Sequence, residues 1–152
     1  MIEQSAIPDH RYLRWNLDVL PFTFPKLAPM ALPGLKFTTD VSIGRGGDQN
    51  RPLLYGNILF FTKPLTLVLD TDVEFLSFNY AGEGFHHEVS WQARDASGKT
   101  VFSGSTSESE RSGGLRGGIA VIKGGIFRSV VIDTTYPEWN GIALCQFAAV
   151  TP

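Results

Sequence analysis

The chain contains a single cysteine, Cys145, and this scarcity excludes two classes of stabilising site. One thiol cannot form an intrachain disulfide, and it cannot supply the several thiolates of a structural zinc site. Cys145 lies within the apolar run IALCQFAAV. A lone cysteine in such a run is typical of a small buried hydrophobic side chain, and we predict that role for it.

Charged residues of either sign are also scarce, at 18% of the chain, and their charges sum to a net −2. A protein that binds nucleic acid needs a basic face to neutralise phosphates, so the sequence does not indicate a nucleic-acid partner. No apolar run reaches the roughly 20 residues that cross a bilayer, so we expect no membrane partner. The opening MIEQSAIPDH lacks a basic-then-apolar signal pattern, and we therefore expect a cytoplasmic location.

Turn formers and aromatic residues are abundant, with 16 Gly and 11 Phe in 152 residues. Many turns combined with bulky, β-favouring side chains are typical of all-β proteins. The length suits one domain, over residues 1–152, with a core of its own. We count about nine or ten short strand patterns and no helical periodicity. The sequence predicts a single antiparallel β-sandwich of jelly-roll type.

The centre of this sandwich is expected at Ile58–Val101, and its clearest strand is Glu88–Arg94. In that strand Val89, Trp91 and Ala93 alternate with polar residues, which predicts one buried and one solvent-facing side. Asp95–Lys99 follows with the composition of a short hairpin loop, and its glycine, Gly98, can adopt positive φ.

Three segments are predicted to consist mainly of extended chain, turn or loop. Residues 1–33 contain a short strand, Tyr12–Leu17, and then a proline every four residues from Pro21 to Pro33, which predicts an extended arm that packs on the sandwich or extends from it. Asp70–Asp72 has the composition of a turn between two strands. Ser103–Gly118 is rich in glycine and serine, which predicts a long exposed loop.

The order of several motifs is similar to that of a known family. ILFFTKPLTLVL, VEFLSFNYAGEG and EVSWQARDASGKTVFSG precede a glycine-rich stretch and the strand IFRSVVID. This order resembles the galactose-binding-like jelly-roll domains, including small bacterial domains of PEP-CTERM-type proteins and carbohydrate-binding modules. The resemblance implies a carbohydrate ligand. Related modules hold a structural calcium with acidic residues in the last strand, but Gly141–Gln146 has no carboxylate, so we expect neither calcium there nor any cofactor.

Two groups of residues are candidates for ligand binding. The stretch after IFRSVVID offers aromatic faces for the C–H faces of a sugar and polar groups for its hydroxyls; its candidates are Tyr136, Glu138, Trp139 and Asn140. The alternative is that its aromatic rings plug one end of the sandwich. Gln92 and Arg94, on the polar side of Glu88–Arg94, are candidates for the floor of a groove. The alternative there is a merely solvated face.

Other acidic and histidine residues do not converge on a site. His86 and His87 are adjacent, so on a strand they point to opposite faces and do not share a metal ion. Asp70, Asp72 and Glu74 have the spacing of a cation site, but turn composition explains the first two. We therefore predict no metal ligands.

No nucleophile motif is present, and no carboxylate pair is singled out, so we assign no catalytic residue. The sequence favours a non-catalytic module that binds carbohydrate or another hydroxyl-rich ligand. The alternative is a structural protein that self-associates into a homo-oligomer through its sheet faces or its N-terminal arm. A glycoside hydrolase is the third interpretation.

Overall fold

The computed structural model describes residues 11–45, 54, 56–61, 64–83, 88–107, 110–112, 115–134 and 142–152. These residues form ten β-strands and one short 3-10 turn, Leu17–Val19. The strands are β1 Tyr12–Trp15, β2 Ala28–Leu32, β3 Leu35–Arg45, β4 Asn57–Phe61, β5 Leu65–Glu83, β6 Glu88–Arg94, β7 Thr100–Ser107, β8 Glu110–Ser112, β9 Leu115–Thr134 and β10 Ile142–Val150. All strand pairs are antiparallel, so the all-β prediction is confirmed.

Two long strands, β5 and β9, pair along most of their length and run through both layers of the sandwich. The N-terminal part of β5 pairs with β3, and the C-terminal part of β9 pairs with β6. With β2 and β7, these segments make up what we call the first layer. The C-terminal part of β5 pairs with β10, which pairs in turn with β1 and β4. Together with the N-terminal part of β9, they make up the second layer.

The core lies between the two layers and is rich in aromatic rings. Phe37 of the first layer meets Phe147 of the second layer at a ring-centroid distance of 5.7 Å, and Phe147 also lies 5.5 Å from Phe78. Val89, Trp91 and Ala93 are buried, as the alternation in Glu88–Arg94 predicts. Cys145 is fully buried, which confirms the prediction made from its apolar run.

The indole of Trp91 lies over a glycine of the neighbouring strand. Gly104 is directly opposite Trp91, and a Cβ placed on Gly104 would lie 2.9 Å from the indole Cζ2. The absence of a side chain at Gly104 therefore lets the ring lie flat against β7.

Two segments that we expected to interrupt the strands are themselves part of strands. Asp70–Asp72 is not a turn: β5 continues through it, with register shifts between Val68 and Phe75 that bend the strand from one layer to the other. Ser103–Gly118 is not a loop, because β7, β8 and the start of β9 occupy most of it. In both segments, pairing with neighbouring strands outweighs the local preference of aspartate, glycine and serine for turns.

The proline-rich segment also contains a strand where we expected only extended chain. Ala28–Leu32 forms β2, which pairs with β3 at the edge of the first layer. Pro29 is compatible with this position because an edge strand need not donate every backbone hydrogen bond. Before β2, the N–H groups of Thr23 and Phe24 donate to the carbonyl oxygen of Ile43, and the Phe24 ring packs 4.9 Å from that of Phe60.

The hairpin between β6 and β7 has the predicted turn, with Gly98 at φ 88°. One carboxylate oxygen of Asp95 accepts hydrogen bonds from the Ser97 hydroxyl at 2.6 Å, the Ser97 N–H at 2.9 Å and the Lys99 N–H at 3.1 Å. These bonds stabilise the charged form, the Ser97 hydroxyl most of all, and so hold the pKa of Asp95 below its ordinary value.

We expect the Ser97→Ala substitution to raise the pKa of Asp95 toward its ordinary value. Because the folded-state pKa is lowered, this bond contributes stability above the unfolded-state pKa and loses it as the pH falls through the folded-state pKa. An NMR titration of the Asp95 carboxyl carbon measures the shift. Ser105→Ala, an exposed change elsewhere on β7, is the control and should leave the titration unchanged. An unaltered Asp95 titration in Ser97→Ala would contradict the assignment.

Candidate binding cleft

A cleft of about 370 Å³ lies on the outer face of the second layer, between the N-terminal strand β1 and the long strand β9. It combines three aromatic rings with several short amide and hydroxyl side chains. Its lining residues are Tyr12, Arg14, Trp15, Asn16, Leu17, Asp18, Asn57, Ser77, Asn79, Ile119, Gln146, Phe147 and Ala148. We call this the cleft.

The register of four strands explains the shape of the cleft. Arg14 is directly opposite Ala148, Ala148 is opposite Ser77, and Ser77 is opposite Val121. Directly opposed residues of antiparallel strands project to the same face. The short side chains of Ala148 and Ser77 therefore form a low floor between the longer side chains of β1 and β9.

The end of the cleft is shaped by a β-bulge in β10. Between the pairs Cys145–Asn79 and Ala148–Ser77, β10 has two residues where β5 has one. Gln146 is the residue that absorbs this mismatch, with φ 58°, a left-handed conformation that is uncommon for a residue with a Cβ. The bulge lets Phe147 enter the core while Gln146 projects, exposed, into the cleft.

Hydrogen bonds hold the turn that forms one wall of the cleft. The side-chain oxygen of Asn16 accepts from the N–H of Asp18 at 2.9 Å, and a carboxylate oxygen of Asp18 accepts from the N–H of Asn57 at 2.6 Å. The Asn57 amide donates to the carbonyl oxygens of Leu17 and Leu20. This network joins β1 to β4 and gives the wall a defined position, as a preformed binding site needs.

Three other polar side chains of the cleft have no hydrogen-bond partner among the described residues. Ser77, Asn79 and Gln146 make no side-chain hydrogen bond to another residue of the part that the structure describes. The guanidinium of Arg14 lies 4.9 Å from the centre of the Tyr12 ring, which places a cation over an aromatic face. These groups are available to a ligand.

A second depression, of about 510 Å³, lies beside the cleft and is mostly apolar. We call it the apolar groove, and its lining residues are Tyr12, Glu74, Phe75, Lys123, Gly125, Ile126 and Val150. Tyr12 lines both depressions, so a polar cleft and an apolar groove meet at one aromatic ring. Ile119 and Ile126, on β9, are more than half exposed along this face.

The structure describes two of the six ligand-binding residues predicted from the sequence. Gln92 and Arg94 share the outer face of β6, and Arg94 Nη2 donates to the Gln92 side-chain oxygen at 3.2 Å. Neither residue lines the cleft or the apolar groove. Tyr136, Glu138, Trp139 and Asn140 lie outside the described residues.

The cleft residues were not among the sequence-based candidates, although two signals pointed to them. The alternation in Tyr12–Trp15 places Tyr12 and Arg14 on one face of a strand. Gln146 is the only polar side chain in the apolar run around Cys145. Their common location depends on the pairing of β1 with β10, which neither signal contains.

The described residues contain neither a metal-binding cluster nor a membrane-spanning helix. No group of three or more histidine, cysteine, aspartate or glutamate side chains is placed there to hold a metal ion. Asp72 instead pairs with Arg128 at 2.9 Å, and Glu74 pairs with Arg11. None of the helical segments in these ranges is long and apolar enough to cross a membrane.

Comparison with known proteins assigns the chain to no family. No family model matches it, and no curated protein does. Among solved structures, it is similar to part of the enzymatically active domain of bacteriophage CBA120 tailspike protein 4, at 14% identity and a TM-score of 0.42. The match covers 82% of this chain and 19% of that one, so this chain spans about a fifth of the length of the tailspike structure.

Proposed function

We propose that the protein is a non-catalytic binding module for carbohydrate or another hydroxyl-rich ligand, and that the cleft is its binding site. One observation carries this proposal. The ring of Tyr12 and the side chains of Ser77, Asn79 and Gln146 line one preformed cleft, and these polar side chains have no partner among the described residues. A sugar needs a flat apolar surface for its C–H face and paired partners for its hydroxyls, and the cleft offers both.

The bulge at Gln146 supports a binding role. A non-glycine residue with φ 58° carries a conformational cost of about 1–3 kcal/mol. Such conformations are concentrated at functional sites, where they aim a side chain. In this protein the left-handed residue projects into the cleft. The site thereby gains a fixed amide donor and acceptor that a regular strand would place elsewhere.

The adjoining apolar groove favours a ligand longer than one sugar ring. Tyr12 joins the polar cleft to the apolar groove, so an extended chain can place one unit in each. This geometry is consistent with the resemblance to galactose-binding-like domains, which implies a carbohydrate ligand. The proposed site differs from the predicted one, which used Tyr136, Glu138, Trp139 and Asn140 together with Gln92 and Arg94.

A glycan array followed by calorimetry on the best ligand tests the proposal. We expect Tyr12→Ala and Gln146→Gly each to weaken binding about threefold to tenfold, through loss of an aromatic contact and of hydrogen bonds. Gln146→Gly should not lower the free energy of unfolding, because glycine adopts positive φ without strain. Reduced binding without reduced stability would separate a binding role from a structural one.

Two further variants control the experiment. Val101→Ala changes an exposed apolar residue on β7, in the first layer, and should leave affinity unchanged. Trp139→Ala tests the loop predicted from the sequence. Loss of binding in Trp139→Ala alone, with Tyr12→Ala unaffected, would move the site to that loop. The absence of any glycan signal from the wild-type protein would refute the proposed function.

A further inference from the structure

We infer that the cleft selects saccharides that carry a carboxylate, such as uronic acids, and that Arg14 binds this group. This inference rests on the proposed function and names the ligand class of the same site. It starts from the ion pairs of three described arginines, Arg11, Arg14 and Arg128. Arg11 and Arg128 each form an ion pair with a carboxylate, of Glu74 and Asp72 respectively. Arg14 forms none with any residue that the structure describes.

The position of Arg14 suits a ligand carboxylate. Its guanidinium lies against the Tyr12 ring, at 4.9 Å from the centroid, so its orientation is restrained without using its hydrogen-bond donors. Ala148 and Ser77 follow it across the sheet, and their short side chains leave space beside it. A planar guanidinium with free donors at the edge of an open floor is suited to a bidentate carboxylate contact.

The side chains around Arg14 can contact the ring and the hydroxyls of an acidic sugar. Tyr12 offers a face for the ring, and Asn79 and Gln146 offer amides for hydroxyls. One carboxylate, Asp18, also lines the cleft, but its oxygen accepts the N–H of Asn57 at 2.6 Å and belongs to the wall. Arg14 is the one cationic side chain among the residues that line the cleft, and no described carboxylate pairs with it.

The test compares short oligogalacturonate and oligoglucuronate with their carboxyl-reduced, neutral counterparts. We expect the wild-type protein to bind the uronates more tightly, with an affinity that falls as salt is added. Arg14→Gln should weaken uronate binding about tenfold to a hundredfold and change binding of the neutral forms less than about threefold. Arg14→Lys should be intermediate, because lysine keeps the charge but loses the planar fork. Arg14 is exposed, so these variants should fold.

The outcomes distinguish this inference from the proposed function. Equal binding of charged and neutral forms, or a uronate preference that persists in Arg14→Gln, overturns the role of Arg14 and leaves the proposed carbohydrate-binding function intact. No binding of either form, together with a silent glycan array, overturns the proposed function and this inference with it. A uronate preference lost in Arg14→Gln and partly kept in Arg14→Lys supports both.

Discussion

The Gly117→Ala protein should be destabilised by at least about 3 kcal/mol, or should fail to fold. Gly117 lies on β9 directly opposite Ala81 of β5. A Cβ at Gly117 would overlap the carbonyl oxygen of Tyr80 and lie 2.7 Å from the Cα of Ala81. Both atoms belong to the backbone, so no rotation of a side chain can relieve the overlap. The two strands would have to separate and break ladder hydrogen bonds.

Urea denaturation measures this effect, and a second glycine of β9 provides the control. Gly125→Ala places its Cβ 3.6 Å from the Phe102 ring, an ordinary contact. We expect this variant to differ from the wild type by less than about 1 kcal/mol. Equal stability of the Gly117→Ala and Gly125→Ala proteins would show that β5 and β9 do not approach as closely as described.

The second large effect is expected for Phe147→Ala, at about 3–5 kcal/mol. Phe147 is 1% exposed and its ring contacts Phe37 of the first layer and Phe78 of the second. Truncation leaves a cavity between the two layers, and the well-packed rings around it can only partly collapse into it. The midpoint of urea denaturation should fall accordingly.

Phe22→Ala is the matched control for the loss of a phenylalanine ring. Phe22 is 59% exposed and precedes β2 in the proline-rich segment, so its removal creates no enclosed cavity. A change below about 1 kcal/mol is expected there. If both substitutions had equal effects, Phe147 would not connect the layers.

Local patterns in the sequence predicted the strands that have one buried and one exposed side. Glu88–Arg94 has the same bounds in the sequence-based prediction and in the structure, and Trp91 is buried as expected. This prediction succeeds because alternation depends only on the two-residue period of a strand. Prediction from local composition fails for Ser103–Gly118. Glycine and serine favour a loop there, but neighbouring strands supply hydrogen-bond partners and the segment is mostly strand.

The cleft could not be predicted in the same way. Tyr12 and Gln146 are separated by most of the chain, and only the pairing of β1 with β10 places them on one surface. The bulge at Gln146 could not be predicted either, because a residue is extra only in relation to the partner strand β5. In the sequence, Arg14 cannot be distinguished from an ordinary surface cation, because its neighbours across the sheet come from distant parts of the chain.

The order of residues alone therefore settled the class of fold, the burial of Trp91 and Cys145, and the hairpin at Gly98. These features arise from side-chain alternation and turn chemistry, which act between near neighbours in the chain. The bend of β5, the register of β10 and the meeting of Tyr12, Arg14 and Gln146 were determined only by the tertiary structure. They depend on which distant strands pair and in what register, and a one-residue change of register would turn each side chain to the opposite face.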